Sequence, residues 1–377
     1  MKKILFISSL NLNRRDGGSL ATLGYYNALC KLYPGKVDII MPKEDCYGKF
    51  TNAIGIPKRN VFDLFCNLSI HRGYRFLKNY IRKYGHEYSI CIINISRTAG
   101  DLMDEFRAVG LKTIVIHHNY EVEYTMDNKH MYTLWGLCPL LVSKIESNAY
   151  KKADVNCFLT ISDMESISKA YGSTEGRNYL LGVFEKELTT YTFSKSENNN
   201  IMVFTGSMCD YQTYHSAVLF EKEYFPILIK KYPNLKMIIA GRNPHNSIWR
   251  FQQKYPKFIT VISNPPNMDV VLEQASIFLC PTCIGSGIKL RIMDGLKKGL
   301  PVLVHRISAR GYEAFESKPY FQVYDDERTF ITGLDIITTY IKNTKNYKNI
   351  IIRDYCAYFG FESGVQKMKK IIETIEL

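Results

Sequence analysis

The chain has 377 residues, 46% hydrophobic and 23% charged, with a net charge of +13 from 49 Lys and Arg against 36 Asp and Glu. This is ordinary globular composition, long enough for two domains. No apolar run approaches the ~18 residues of a membrane-spanning helix, and the basic excess favours an anionic partner: a nucleotide, a nucleic acid or an anionic membrane surface. The start, MKKILFISSL, mimics a signal peptide, but its apolar run is short. Asn11, Arg14 and Arg15 follow it, and no small-residue cleavage site appears. It reads as the first buried strand, Lys3 to Ser8, of a cytosolic protein. Gly17-Gly18 then opens a helical stretch through Leu29, and Val37 to Met41 is a second strand. A long helical pattern lies within Leu64 to Tyr84. Tyr88 to Ile95 is a strand, Asp101 to Val109 a helix and Lys112 to Ile116 a strand. Leu141 to Lys152 is a helix, and Val155 to Ile161 another strand. Such alternation argues for a mostly parallel sheet with helices on both faces.

From Glu185 to Asn200 the chain turns polar, EKELTTYTFSKSENNN, and reads as an interdomain linker. The strand-then-helix rhythm restarts after it. Ile201 to Thr205 is a strand ending in Gly206-Ser207, and Tyr214 to Lys231 is an amphipathic helix. Leu235 to Ala240 is a strand ending in Gly241-Arg242-Asn243-Pro244. Phe258 to Ile262 is a strand and Met268 to Gln274 a short helix. Ser276 to Cys280 is a buried strand, Gly285-Ser286-Gly287 a tight turn, and Ile288 to Lys298 a helix with Ile288, Ile292 and Leu296 on one face. Gly299 stops it, and Val302 to Val304 is the next strand. Tyr320 to Tyr324 and Glu327 to Ile341 add a strand and a helix. Val365, Met368, Ile371, Ile372 and Ile375 form one apolar face of a last helix, which needs something to pack against.

Two open α/β domains place ligands in a cleft at the carboxyl ends of their strands. The glycine-bearing strand ends fall there, with the cluster His117-His118-Asn119. The stretch from Leu279 to His305 carries most of the chemistry. A helix opening near Ile288 would aim the amides of Gly287, Ile288 and Lys289 and its positive dipole end at an anion, with the Lys289 charge beside them. Asp294, off the apolar stripe, would accept two hydrogen bonds from a ribose diol. The same residues also fit a plain solvated helix, since Arg291 and Lys298 are ordinary i−3 and i+4 partners for Asp294. The dinucleotide fingerprint G-x-G-x-x-G fails at Leu290. Ten cysteines are scattered, mostly in apolar runs, and Cys280-Pro-Thr-Cys283 has no second ligand pair nearby. No metal site is read, and the dispersed basic residues carry no nucleic-acid motif.

With FTGSM at Phe204 to Met208, IIAGRNP at Ile238 to Pro244, GSGIKLRIMDGLKKGLPVL at Gly285 to Leu303, the early Gly17-Gly18 and HNYE at His118 to Glu121, the chain resembles the family 4 glycosyltransferases (glycosyl transferases group 1) over nearly its full length. The resemblance implies the GT-B fold: two Rossmann-like, doubly wound α/β domains facing each other across a cleft, with the C-terminal helix crossing back to the first. The domains are then 1–190, completed by 361–377, which binds the acceptor, and 200–360, which binds the nucleotide sugar. It also implies a retaining hexosyltransferase that needs no cofactor and no obligatory metal. Its substrate is a UDP- or GDP-sugar, and its acceptor a glycan or polyprenyl-linked glycan at the inner face of a membrane. By similarity Asp294 stands where the family has a ribose-binding glutamate, His118 matches the histidine near the reaction centre, and Gly17 and Gly18 match the loop approaching the diphosphate. His118, Lys289 and Asp294 are the catalytic candidates, Arg291, Ser286, Gly287, Ile288, Gly206, Ser207, Arg242 and Asn243 the remaining donor-side ones, and Glu121 the acceptor-side one.

Each candidate has a plainer alternative. His118 can be a strand-end histidine satisfied by backbone, as His117 is expected to be structural. Glu121 can cap a turn, Gly17 and Gly18 can simply permit one, Ser207 can cap a helix, and Arg242 and Asn243 can shape the turn before Pro244. Trp135 to Val142 reads as an apolar acceptor or membrane-facing surface, or as a buried loop. Three departures from the family pattern stand out. Asp294 is one methylene shorter than the usual glutamate, the earlier donor-sugar glutamate is missing near Cys283 and Ile284, and the loop GSMCDYQTYHS after Phe204-Thr205 lacks the usual Arg and Lys. The last two keep open a non-catalytic GT-B partner in glycan assembly; a nucleotide-sugar epimerase on the same fold is the other alternative and would require acid/base carboxylates in the cleft.

Overall fold

A computed structural model describes residues 2–14, 16–47, 50, 53–58, 73–127, 138–189, 200–285 and 287–376. The helical pattern expected over 64–72, the linker residues 190–199, the apolar residues 135–137 and the candidate Ser286 lie outside the described residues. The chain divides into two compact units, Met1–Thr189 with Phe359–Leu377, and Thr190–Tyr358.

The first unit is built on apolar runs such as ILFI, ICII and IVI. These are buried along their length and so need cover on both faces, which parallel strands with crossover helices provide. Its strands are β1 (Lys3–Ser8), β2 (Val37–Pro42), β3 (Ala53–Ile56), β4 (Tyr88–Asn94), β5 (Lys112–His117), β6 (Val155–Phe158) and β7 (Asn178–Leu180). They pair in the order β3-β2-β1-β4-β5-β6-β7, all parallel. The helices between them are α1 (Gly17–Leu32), α2 (Tyr74–Tyr84), α3 (Met103–Ala108), α4 (Glu121–Asp127), α5 (Cys138–Lys152) and α6 (Ile161–Tyr171). The strand expected to run through Ile161 stops at Phe158, because Thr160 caps α6. Its Oγ1 accepts from the Asp163 amide at 3.0 Å, and a Thr followed three residues later by an acidic residue is an N-terminal signature that outweighs the apolar run. In α5, Leu140 is exposed and Val142 buried.

The second unit repeats the plan. Its strands β8 (Ile201–Ser207), β9 (Lys236–Arg242), β10 (Ile259–Ser263), β11 (Ile277–Cys280), β12 (Val302–His305) and β13 (Phe321–Tyr324) are parallel in the order β10-β9-β8-β11-β12-β13. Its helices are α7 (Tyr211–Glu223), α8 (Phe225–Lys231), α9 (Asn246–Lys254), α10 (Met268–Glu273), α11 (Arg291–Lys297), α12 (Glu327–Asn343) and α13 (Tyr347–Phe359). The single helix expected from Tyr214 to Lys231 is two. Pro226, in the first turn of α8, has no N–H to continue the ladder and breaks the run at Tyr224.

The last helix, α14 (Phe361–Glu376), belongs to the first unit and lies on α1. Its expected apolar face finds its partner there, with Val365, Met368, Ile371 and Ile372 buried. At ~1.5–3 kcal/mol for each large apolar side chain, this burial holds the helix in place. Gly364 lets it approach, since a Cβ at that position would lie 2.1 Å from the Phe184 ring.

Candidate functional site

In each sheet the strand order reverses between two neighbours, β1 and β4 in the first unit and β8 and β11 in the second. The chain leaves these neighbours in opposite directions, and the crevice beyond their carboxyl ends is where open α/β sheets bind ligands. Of the residues singled out by sequence, Gly206 and Ser207 end β8 and Gly285 follows β11, whereas His118 follows β5, Arg242 ends β9 and Asp294 lies in α11.

In the second unit, β8 ends in Gly206 and Ser207, and α7 begins at Tyr211. Gly206 has φ +158°, a conformation that L side chains rarely adopt, and a Cβ there would lie 2.5 Å from Arg291 Nη1, the end of a flexible side chain. The Arg291 guanidinium lies over this strand end. Nη1 donates to the Thr205 carbonyl at 3.3 Å, and Nη1 and Nη2 to Thr213 Oγ1 at 3.3 and 3.2 Å. Gly285, at φ +89°, makes room in the same way for Gln212, whose Nε2 would be 2.2 Å from a Cβ. The Gln212 Oε1 accepts from Lys289 Nζ at 3.4 Å, and Lys289 is only 8% exposed. Two cations from the segment after β11 are thereby brought against the turn between β8 and α7, the turn that has no basic side chain of its own.

The helix expected from Ile288 starts at Arg291 and is seven residues long. Gly287 has φ +70°, and the Lys289 carbonyl accepts from the Tyr312 hydroxyl at 3.0 Å and from the Ile292 N–H at 3.0 Å, an i to i+3 bond. Gly287, Ile288 and Lys289 therefore belong to the loop before the helix, and their amides do not form its first turn. Because the helix starts three residues later than expected, Asp294 sits in its first turn. It pairs with Lys297 at 2.8 Å. The partners expected for it are engaged elsewhere: Lys298 with Asp269 and Glu273, both at 3.1 Å, and Arg291 with β8. Ser207 Oγ faces Cys209 Sγ at 3.3 Å and does not cap α7, whose N-cap is Asp210. Arg242 is the exposed last residue of β9, and Asn243 (φ 45°) turns the chain, its N–H donating to Asn264 Oδ1 at 3.1 Å.

In the first unit, Asp16 caps α1 by accepting from the Ser19 amide at 2.9 Å, which puts Gly17 and Gly18 in the first turn. His118 follows β5 and is 5% exposed. Its Nε2 is 2.8 Å from Asn94 Oδ1, and Tyr25 packs edge-on to its ring. Burial, helped by the charge of Arg97 and by His117, pulls its pKa from 6.5 to about 3. His117 is buried against Phe158 with Nε2 3.1 Å from Asn156 Oδ1, and burial lowers it to about 4.

Glu121 opens α4 and is 1% exposed. Arg97 Nε lies 3.3 Å from its Oε2, and Arg97 is the more exposed member of the pair. Burial raises the Glu121 carboxyl, opposed by Arg97. The Glu121 N–H donates to Glu146 Oε1 at 3.0 Å, and the Tyr171 hydroxyl to Glu146 Oε2 at 3.0 Å. Glu146 is fully buried, which lifts its carboxyl to about 8.

Sequence reasoning missed Asn94, Arg97 and Glu146 in the first unit and Gln212 and Thr213 in the second. The polar end of the run YSICIIN was a signal for Asn94, since buried strands rarely close on an amide without a partner. Arg97, Glu146, Gln212 and Thr213 gave none, because their roles depend on contacts distant in sequence. Among the described residues, no three His, Cys, Asp or Glu side chains are grouped to hold a metal ion, and no helix is long and apolar enough to cross a membrane.

Together these units define a GT-B architecture. HepE of Anabaena, solved in complex with UDP, superposes with a TM-score of 0.69 at 10% identity, over 99% of this chain and 100% of that one. Sucrose-phosphate synthase from Thermosynechococcus elongatus does so with a TM-score of 0.69 at 14% identity, over 100% and 99%. At such identities the likeness is one of fold. Residues 199–331, the segment that holds Gly206, Gln212, Gly285 and Arg291, match the family described as glycosyl transferases group 1. The uncharacterized 44.6 kDa protein in the cps region of Klebsiella pneumoniae is 23% identical over 234 residues, which span 60% of this chain and 58% of that relative.

Proposed function

We propose that the protein is a retaining glycosyltransferase that moves a sugar from a UDP- or GDP-sugar to a glycan or lipid-linked glycan acceptor, without an obligatory metal. The observation that carries this reading is Arg291, held across the end of β8 by Thr205 and Thr213 within the segment matched by the transferase family. HepE, on the same fold, was solved with UDP. In the reaction, the bond from the anomeric carbon to the diphosphate oxygen breaks, the bond from that carbon to the acceptor oxygen forms on the same face, and the acceptor proton passes to the leaving phosphate. Charge develops on the diphosphate, and donors already fixed in place stabilise it most. Arg291 and Lys289 take that role, and Ser207, the segment from Gly285 to Ile288 and the Gly17-Gly18 turn are the further phosphate and sugar contacts. Asp294 binds the ribose after giving up Lys297. Arg242 and Asn243 lie on the base side, His118 hydrogen-bonds the sugar, and Glu121 serves the acceptor side through Arg97.

The test is incubation with UDP- and GDP-sugars and glycan or polyprenyl-linked acceptors, reading released nucleotide and the anomeric configuration of the product by NMR. Transfer with the donor's configuration supports the proposal, and inversion removes the retaining mechanism. Change of the sugar without any acceptor points to an epimerase. One observation favours a second reading, a non-catalytic partner in glycan assembly: both cations already have protein partners, Arg291 on Thr205 and Thr213 and Lys289 on Gln212. Absence of nucleotide binding decides for it.

A further inference from the structure

His118 is joined to the start of α1 by a chain of buried hydrogen bonds that no sequence motif announces. Thr22 Oγ1 donates to the Gly18 carbonyl at 2.7 Å. Asn94 Nδ2 lies 2.9 Å from Thr22 Oγ1 and 3.3 Å from Ser8 Oγ, and Asn94 Oδ1 lies 2.8 Å from His118 Nε2. Ser8, Thr22 and Asn94 are all fully buried. The direction of this chain is fixed by its first link. The Thr22 hydroxyl has one proton, committed to Gly18, so toward Asn94 it can only accept. Turning the Asn94 amide over would set its oxygen against the Thr22 oxygen with no proton between them. The Ser8 hydroxyl already accepts from the Leu10 amide at 3.1 Å, which is compatible with a further donor from Asn94. The Asn94 oxygen must therefore face His118, and the ring nitrogen opposite it must carry the proton.

We infer that Asn94 is a positioning residue that holds His118 as the neutral imidazole protonated on Nε2, so that Nδ1 is its hydrogen-bond acceptor toward a hydroxyl of a bound sugar. The role of the sugar rests on the transferase reading above; the tautomer does not. Burial keeps the ring uncharged at neutral pH, since its pKa is about 3, and a neutral imidazole has one donor and one acceptor, chosen by its partner. An imidazole in this state orients a hydroxyl by accepting from it. The relay also makes the Gly17-Gly18 turn and the histidine a single unit, because Gly18 and His118 are fixed through the same two side chains.

Two-bond nitrogen–proton correlation spectra of protein labelled with 15N-histidine test this, with His118 assigned among the eight histidines by its loss in His118→Gln. The spectra are recorded on the unliganded full chain, so a failure of the transferase reading leaves them interpretable. If a nucleotide sugar is turned over, Asn94→Ala lowers kcat and leaves KM for it unchanged. In the wild type His118 shows the neutral Nε2-protonated pattern at neutral pH. Asn94→Ala loses that pattern, and Asn94→Asp keeps the Nε2 proton while moving the ring's titration to higher pH. A His118 ring protonated on Nδ1 or charged at neutral pH in the wild type overturns the inference even if neither Asn94 variant folds. So does an Asn94→Ala spectrum identical to wild type.

Discussion

Replacing Glu146 by Gln will change how the stability of the protein depends on pH, and the structure fixes both the sign and the interval. Glu146 is 0% exposed, and its carboxyl is raised by burial from 4.5 to about 8; the nearby Glu121 carboxylate adds to this and the Glu121 N–H opposes it. The folded chain keeps this proton up to about pH 8, whereas the unfolded chain loses it above 4.5. Across that window the native state binds more protons, so stability falls as pH rises. His117 and His118 act the other way. Burial holds them near 4 and 3 instead of 6.5, so unfolding takes up protons below 6.5 and stability falls as pH drops. Just above 6.5 the histidines of the unfolded chain are still losing their protons, but this contribution is common to wild type and Glu146→Gln and cancels in their difference. The interval from 6.5 to about 8, some one and a half pH units at ~1.4 kcal/mol each, gives a ceiling of about 2 kcal/mol for Glu146. Urea unfolding at both pH values reads it directly. Wild type loses stability between them, and Glu146→Gln loses less by an amount of ~1–2 kcal/mol, below the ceiling because a carboxyl near 8 is already half ionised at the upper pH, with a remaining slope from Glu121, whose raised carboxyl has the same sign. An equal change in wild type and variant would refute the reasoning.

Other predictions address single contacts. Gly364→Ala puts a methyl 2.1 Å from the Phe184 ring and should lower stability by ~1–3 kcal/mol through overpacking of α14, read as a lower urea midpoint. Gly206→Ala puts one 2.5 Å from Arg291 Nη1 and displaces a flexible side-chain end. Nucleotide affinity, read by calorimetry, should fall about tenfold, ~1.4 kcal/mol, and the melting midpoint should fall as well, because φ +158° at this position is a conformation that L side chains rarely adopt. Thr160→Ala removes the cap of α6 and should cost ~0.5–2 kcal/mol in the urea midpoint.

The sequence made the sheets legible because parallel strands buried on both faces are continuous apolar runs. ILFI, ICII, IVI and VLV marked β1, β4, β5 and β12 to within a residue or two. β3 and β7 were missed because they are short edge strands, half-buried at Ala53 and Asn178. The apolar face of α14 announced a missing partner, and α1 supplies it. Local chemistry defeated pattern reading at Thr160, where a cap outweighs a strand, and at Pro226, where a ring breaks a helix. The candidate site was legible as glycines at strand ends, since Gly206 and Gly285 are needed where side chains from another segment cross close to the backbone. What crosses them was not. Arg291 reaches a strand 86 residues earlier, Gln212 meets Lys289 77 residues away, and such pairings have no periodicity to read. The helix start was misplaced because Gly287 and the Tyr312 hydroxyl, rather than propensity, decide where α11 begins.

The most direct test of the account is calorimetric titration of the full chain with UDP, GDP, ADP and CMP, on wild type, Arg291→Ala and Asp294→Ala. The account predicts that UDP or GDP binds at the micromolar level and that each substitution weakens it by ~1 kcal/mol or more, about fivefold. Binding of none of the four, or binding that neither substitution changes, would contradict a nucleotide-sugar site at the carboxyl ends of β8 and β11.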